Sequence, residues 1–543
     1  MGAQLTSALR LLAPLLVLNA LLTLENLWPT LWPRLSPRLS FELAMALLAL
    51  CAWTGWRGAP GKWMLRALAA LSAFWILARY IDVTVLAMFG RPLNLYWDSR
   101  HVLSVLRMGE FSAWQLGLAG LLLLALPLLL HALALFCWRL IAQALLQLPR
   151  ARPAVGATGL LLLASFAAHG IDGRDTRFFF SLPVAPALAR QAELLADQLL
   201  PGAVAAQLPP SPRFEGQGLS GLAGADVLLI FAESYGASTL DDPLQSGALA
   251  PARARFEQLL SAGGRQVVSA RVRSPTFGGA SWLAHAALLA GVDTQDPGTY
   301  ERLLATQRPT LVSHFQSHGW RTVSWMPGLQ RPWPEGLFYG FERYADAGGI
   351  GYAGPSLGYW RIPDQASMAL LHAQELAAPG ARRAPRFIVF PTLASHAPFR
   401  PIAPFVGDWA RLVRADAYAP QQIARALEQP SAWSQPVAAY IDSLDYTFQW
   451  LGSYLAGPAP ARLLTIVIGD HQPLAAVSGK GASWDVPVHV ISADARLLER
   501  FEALGFVSGL APPAGEASVP MDGLTSLLLA AFDTRPLSAS AGE

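Results

Sequence analysis

Cysteine is almost missing from this 543-residue chain, with Cys51 and Cys137 the only two, both inside apolar runs. A disulfide framework and a zinc–thiolate site are therefore excluded from the polar second half, and both thiols read as small buried hydrophobes. Lysine is as scarce: Lys62 and Lys480 stand alone, so nearly every cation is arginine. There is no basic run and no basic–aromatic interleaving, and the formal net charge is +3, which argues against nucleic acid as a partner. Charged residues make up only 14% against 53% hydrophobic, and mean hydropathy is +0.34. A soluble enzyme of this length is less apolar, so part of the chain is expected in lipid.

The apolar material lies before about residue 172. Five runs approach the ~20 residues a bilayer requires: Leu11–Trp28, Leu35–Trp56, Ala67–Leu86, Trp114–Trp138 and Pro153–Ile171. Trp28, Trp32, Trp56, Trp63, Trp114 and Trp138 gather at their ends, as an aromatic belt does. "LENLWPTLWP" follows the first run without a small-x-small site, so that run is expected to remain as an anchor. Five spans place the chain ends on opposite sides. Arg57, Lys62, Arg66, Arg139, Arg150 and Arg152 favour a cytoplasmic N-terminus, while Arg34, Arg38, Arg91, Arg100 and Arg107 weigh against it. Arg79 and Asp82, three apart on one helical face, are expected to pair near a membrane boundary.

"FGRPLNLYWDSRHVLSVLRMG" and "VAPALARQAELLADQLL" have the pattern of amphipathic helices lying in the membrane interface. "LPPSPRFEGQG" (Leu208–Gly218) marks a linker, and beyond it the pattern changes. Short β-branched runs ("DVLLIFA", "QVVSARV", "RTVSWM", "RFIVFPTL", "LLTIVI", "VPVHVI") alternate with helical stretches, which predicts an α/β domain with a mostly parallel sheet. The expected organisation is a five-helix transmembrane domain over 1–173, an interfacial helix and linker over 174–224, the α/β domain over 225–534, and a tail over 535–543.

Two strand-like runs end on acids. "DVLLIFAESYG" delivers Glu233, and "LLTIVIGDHQP" delivers Asp470 and His471 side by side, each where a parallel sheet presents its carboxyl edge. Glu233 alone is as readily a helix-start carboxylate, and Gly-Asp alone is ordinary turn chemistry. In "SPTFGGASWLAHAALLAG", Gly278 and Gly279 permit a tight turn into a helix with Ser281 at its N-terminus. Such a serine is usually an N-cap, yet a nucleophile uses the same place because the helix dipole favours developing negative charge there. "PTLASHAPF" puts His396 in a loop after another strand.

Together these segments resemble the alkaline phosphatase/sulfatase superfamily. The whole architecture resembles its membrane-bound lipoteichoic acid synthases and phosphoethanolamine transferases. The resemblance covers Asp226 to about Phe532, and the helical half by architecture only. It implies Glu233, Asp470 and His471 as ligands of one divalent cation, with Ser281 as the metal-bound nucleophile and His396 on the substrate side. Two carboxylates, an imidazole and a hydroxyl form a nitrogen–oxygen set suited to Mn, Mg or Zn. Such an ion lowers the hydroxyl pKa and offsets charge on the transferred group.

Departures from the family pattern narrow the expectation. Ser281 is followed by Trp282, Leu283, Ala284 and His285, without the Pro and Arg of the sulfatase maturation motif, so sulfate-ester hydrolysis loses ground. His285 stands where that Arg would, beside the phosphoryl group or simply on a helix face. "MPGLQRPWPEG" keeps Trp333 where glycerolphosphate-type enzymes have a headgroup cluster, which leaves the headgroup open.

The expected function is metal-dependent transfer of a phospholipid headgroup, phosphoethanolamine or glycerophosphate, to an envelope glycan or lipid through a phosphoserine. The alternatives are a membrane-anchored phosphate-ester hydrolase and a catalytically silent lipid-sensing scaffold. The intact Glu-Ser-Asp-His set speaks against the scaffold. The expected location is a bacterial cytoplasmic (inner) membrane, multi-pass, with the α/β domain on the periplasmic side.

Overall fold

The structure is a computed structural model that describes residues 2–108, 111–169, 179–199, 208–330, 333–358, 360–377, 383–430, 432, 436–515, 517 and 519–534. The tail expected over 535–543 and the first part of the linker, 200–207, lie outside the described residues. The chain divides into two compact units, Met1–Ala203 and Val204–Glu543.

The first unit holds helices α1 (Gly2–Leu22), α2 (Phe41–Trp56), α3 (Lys62–Phe89), α4 (Leu95–Met108), α5 (Ala113–Gln147), α6 (Arg152–His169) and α7 (Val184–Leu199). The strands β1 (Glu25–Asn26) and β2 (Pro33–Arg34) pair antiparallel between α1 and α2. Each of the five apolar runs lies on a helix, namely α1, α2, α3, α5 and α6. Two of these, α3 and α5, are long and apolar enough to cross a membrane. The apolar stretches of the other three, Leu9–Leu22, Phe41–Trp56 and Arg152–Ala168, are shorter.

Local chemistry trims the first two runs. The chain leaves α1 at Leu22 to form the β1–β2 pair. It enters α2 only after Ser40, whose hydroxyl accepts from Leu43 N at 3.2 Å and caps the helix. The amphipathic stretches form α4 and α7, which Gln191 clips together by donating to Leu93 O (2.6 Å) and accepting from Leu95 N (2.8 Å). The expected Arg79–Asp82 pair is not what forms. The buried Arg79 guanidinium donates to the backbone carbonyls of Leu24 (2.8 Å) and Leu182 (3.2 Å), and Asp82 faces Arg190 at 3.9 Å. Orphan carbonyls at chain turns next to the helix compete successfully for the guanidinium.

The second unit is built on a mixed sheet of nine described strands. In chain order they are β3 (Asp226–Ala232), β4 (Gln266–Arg273), β5 (Arg321–Trp325), β6 (Arg343–Ala345), β7 (Arg386–Pro391), β8 (Leu463–Gly469), β9 (Asp485–Ser492), β10 (Val507–Ser508) and β11 (Val519–Pro520). Their order is β10-β4-β9-β8-β3-β7-β5-β6, with β11 beside β4. All six strand-like runs of the sequence are here. The strands β6, β10 and β11 have two or three residues, too few to show a period. From β6 through β8 neighbours are parallel, as expected, but β9 runs antiparallel to β8 and β4 antiparallel to β9. Only the four-residue helix Ala475–Ser478 lies between β8 and β9, in place of the longer helix that usually carries a parallel crossover.

The central strands β3 and β8 are buried at every position, as a sheet covered on both faces requires. Alternation divides β3. Leu228 and Ile230 join the core that includes Phe256 and Trp450, while Phe231 turns to the other face and meets His285, ring centroids 4.1 Å apart. On the first face lie α9 (Pro243–Ala262), which follows the short α8 (Ser238–Asp241), and the helix Pro436–Ala456 packed against it. On the second, α10 (Ser281–Ala290) packs against the helix Met521–Phe532. Adjacent parallel strands β7, β3 and β8 thus bring their carboxyl ends to one edge, and the candidate residues follow directly from it.

Candidate active site

Ala232 of β3 is paired in register with Gly469 of β8, so the next residues, Glu233 and Asp470, emerge side by side. The glycine is a steric requirement: a Cβ at position 469 would lie 1.9 Å from the Tyr235 carbonyl oxygen. Gly469→Ala is therefore expected to destabilise by about 2 kcal/mol or more, because backbone rather than a flexible side chain must yield. Thermal unfolding of the purified variant checks this, and an unchanged midpoint would remove the steric account.

Between the two acids sits Ser234, held at φ 53°. Its N–H donates to Asp470 Oδ1 at 2.7 Å, and its hydroxyl donates to Glu233 Oε1 at 2.7 Å. The Tyr440 hydroxyl in turn donates to the Ser234 carbonyl at 2.7 Å. That web offsets the left-handed backbone, which costs roughly 1–2 kcal/mol for a residue with a Cβ.

His471 Nδ1 lies 2.8 Å from the Gln472 carbonyl. A carbonyl only accepts, so Nδ1 carries a proton and Nε2 is the nitrogen that faces the acids. That Nε2 is 3.7 Å from Glu233 Oε1 and 3.6 Å from Asp470 Oδ2. One ligand atom of each of the three residues falls within 4.8 Å of the others, and all three side chains are buried. Burial raises the Glu233 carboxyl, but the imidazoles of His396 and His471 and the Ser234 hydroxyl outweigh it and hold the group below its usual range. Burial, reinforced by the Glu233 charge, pushes Asp470 up to about 7. Two buried carboxylates crowded around an imidazole nitrogen are a donor set that fits a divalent cation, whose charge relieves their repulsion.

Ser281 meets this group from α10. The turn before it runs through three consecutive positive φ values, Gly278 at 66°, Gly279 at 138° and Ala280 at 63°. The first two are free to glycine; Ala280 is held there by its surroundings. Gly278 N donates to Gln472 O (3.0 Å) and Leu283 N to Ala280 O (2.9 Å). The N-cap position belongs to Ala280, so Ser281 is the first helical residue and its hydroxyl makes no cap bond. Its Oγ instead stands 3.2 Å from His471 Nε2 and 3.4 Å from Glu233 Oε2. The neighbouring hydroxyls are engaged elsewhere, Ser274 with Asp470 O (2.6 Å) and Thr276 with Gly279 O (2.7 Å).

The loop after β7 supplies the other side. His396 Nδ1 pairs with the Ala397 carbonyl at 2.7 Å, and its ring stands edge-on to Trp360, centroids 4.8 Å apart. Sequence reasoning missed the residues that hold this loop. Asp364, buried, accepts from Leu393 N (2.9 Å) and Ala394 N (2.9 Å). Thr392 accepts from Glu233 N (3.0 Å), and Ser395 donates to the Glu233 carbonyl. "TLAS" in the sequence signals only a loop; its link to Glu233 exists because β7 and β3 are neighbours.

His285, one turn after Ser281, has a buried Nε2 without a hydrogen-bond partner among the described residues. Burial, reinforced by His471 and opposed by Glu233, pushes the imidazole down to about 4, so it is neutral. The Trp333 ring covers Gly336 and lies 5.8 Å from that of Tyr339.

No family model matches the sequence, and no curated protein matches it. Solved structures do match. One is a protein in the alkaline phosphatase superfamily from Vibrio parahaemolyticus, 16% identical, covering 63% of this chain and 77% of that one, TM-score 0.40. The lipoteichoic acid synthase LtaP of Listeria monocytogenes is 10% identical, covering 59% of this chain and 78% of that one, TM-score 0.36. The C-terminal periplasmic domain of EcEptC from Escherichia coli is 10% identical, covering 58% and 93%, TM-score 0.34. The reading of the reaction rests on the site itself.

Proposed function

We propose that the protein is a membrane-embedded, metal-dependent phosphoryl-group transferase with Ser281 as nucleophile. The observation that carries the reading is the Ser281 hydroxyl, free of any capping bond and 3.2 Å and 3.4 Å from His471 Nε2 and Glu233 Oε2. Glu233, Asp470 and His471 would hold the divalent cation, with Ser281 alongside. A bound cation supplies charge compensation and a lowered hydroxyl pKa.

The donor would be a phospholipid and the acceptor an envelope glycan or lipid. Ser281 gives its proton to solvent water, and its Oγ–P bond forms as the P–O bond to the diacylglycerol oxygen breaks. His396, as imidazolium, gives the proton that the departing oxygen takes up. Ser281 opens α10, so the phosphoryl oxygens would gather charge at the positive end of that helix. His285 would offer its buried Nε2 to the phosphoryl group. The apolar helices of the first unit, taken as five spans with the second unit outside the cytoplasmic membrane, would keep the site within reach of lipid headgroups.

Incubation of the purified protein with defined phospholipids, followed by mass spectrometry of the Ser281 peptide, tests the reading. Phosphoethanolamine or glycerophosphate on Ser281 is expected. Bare phosphate would move the reaction to phosphomonoester hydrolysis, and an adduct on another residue would overturn the nucleophile.

A further inference from the structure

One short segment, "WRIPD" (Trp360–Asp364), meets His396 at two places. It leads into the helix Asp364–Leu371 and is anchored by the buried Ile362. At its start the half-buried Trp360 ring stands edge-on to the His396 imidazole, centroids 4.8 Å apart. At its end Asp364, 2% exposed, accepts from Leu393 N at 2.9 Å and from Ala394 N at 2.9 Å. Leu393 O in turn accepts from His396 N at 3.0 Å, so the carboxylate grips the turn that presents the imidazole.

The packing around this turn is close. A Cβ at Gly328 would come within 2.8 Å of the Leu393 side chain and 3.0 Å of the Trp360 ring, so both press against bare backbone after β5. The same turn is bonded to the metal group, since Thr392 accepts from Glu233 N and Ser395 donates to the Glu233 carbonyl. The Ala397 carbonyl engages His396 Nδ1 at 2.7 Å, so proton exchange with a substrate falls to Nε2. A proton donor must meet the departing oxygen at hydrogen-bond distance, and an imidazole can swing about two side-chain bonds. Trp360 limits that swing, and Asp364 fixes the backbone from which it starts.

We propose that Trp360 and Asp364 are positioning residues that set the reach of the His396 imidazole toward the departing lipid oxygen. The inference rests on the phosphoryl-transfer reading above, with His396 as proton donor. In that step the P–O bond to the diacylglycerol oxygen breaks. The electron pair stays on that oxygen, which takes the proton from His396 Nε2. With a nitrophenyl ester the same P–O bond breaks, but nitrophenolate leaves as a stable anion and takes no proton.

The test compares two substrates on the full chain in detergent with Mn²⁺ added: phosphatidylethanolamine or phosphatidylglycerol, and bis(p-nitrophenyl) phosphate. His396→Ala should lose about 100-fold on the phospholipid and less than about threefold on the nitrophenyl ester. Trp360→Ala and Asp364→Ala should each lose about tenfold on the phospholipid and again spare the nitrophenyl ester. In the His396→Ala background neither should cost anything further. Asp364→Asn, whose amide oxygen can still accept from Ala394 N, should recover part of the loss. Asp364 is buried, so Trp360→Ala decides the matter where Asp364→Ala does not fold. Equal losses on both substrates, or losses that add to that of His396→Ala, overturn the positioning role. Selective loss in His396→Ala alone also overturns it, and leaves the proton donor standing. A wild-type chain that consumes no phospholipid, or a His396→Ala variant that consumes it normally, overturns the parent reading and this inference with it.

Discussion

Ser281→Ala is expected to fold, to hold metal somewhat more weakly, and to lose turnover by roughly 10⁴-fold or more. The size follows from what the hydroxyl does and does not touch. An N-cap serine exchanged for alanine costs about 1 kcal/mol of stability and leaves chemistry intact. Here the cap position belongs to Ala280, and the Ser281 hydroxyl makes no cap bond, so even that loss should be absent. What disappears is the atom proposed to form the covalent bond. Ser274→Ala and Thr276→Ala supply the contrast, since those hydroxyls brace Asp470 O and Gly279 O. They should lose stability while the Ser281 adduct still forms. An active Ser281→Ala, or an adduct at Thr276, would assign the chemistry to another hydroxyl.

The second large effect concerns the cation. Purified protein should carry about one divalent ion per chain, and Glu233→Ala or Asp470→Ala should lose it together with roughly 10³-fold or more of turnover. Full retention of metal by both variants would end the assignment. Without metal, Asp470 has a further consequence. Its carboxyl is pushed up to about 7 by burial and by Glu233, well above its unfolded value of about 3.9. A raised acid favours the folded state where it is protonated, so the metal-free protein should lose stability as pH rises from about 4 to about 7. Asp470→Asn removes that charge while its amide oxygen can still accept from Ser234 N and His471 N. Metal-free Asp470→Asn should therefore melt above metal-free wild type at pH 8, and below or equal to it near pH 4. Parallel melting curves across this range would show that Asp470 does not feel the Glu233 charge as described.

Composition and periodicity were enough to separate an apolar helical first part from an α/β second part, and to locate six strands. Those features are local: a buried parallel strand must be continuously apolar, and an apolar run near bilayer length must satisfy its own backbone. The strand-end acids and the Gly-Gly turn before Ser281 were legible for the same reason, as breaks in such runs. Assembly was not local. Glu233 and Asp470 lie 237 positions apart in the chain and meet only because β3 and β8 are parallel neighbours in register. Ser234, Thr392, Asp364 and Ser395 carry no sequence signal, since a serine or threonine in a loop looks alike whether it braces a carboxylate or faces water. The direction of β9 and the partners of Arg79 were likewise decided by which groups compete for the same space and the same hydrogen bonds. Sequence determines which side chains a strand end or helix start presents; only packing determines what stands opposite them.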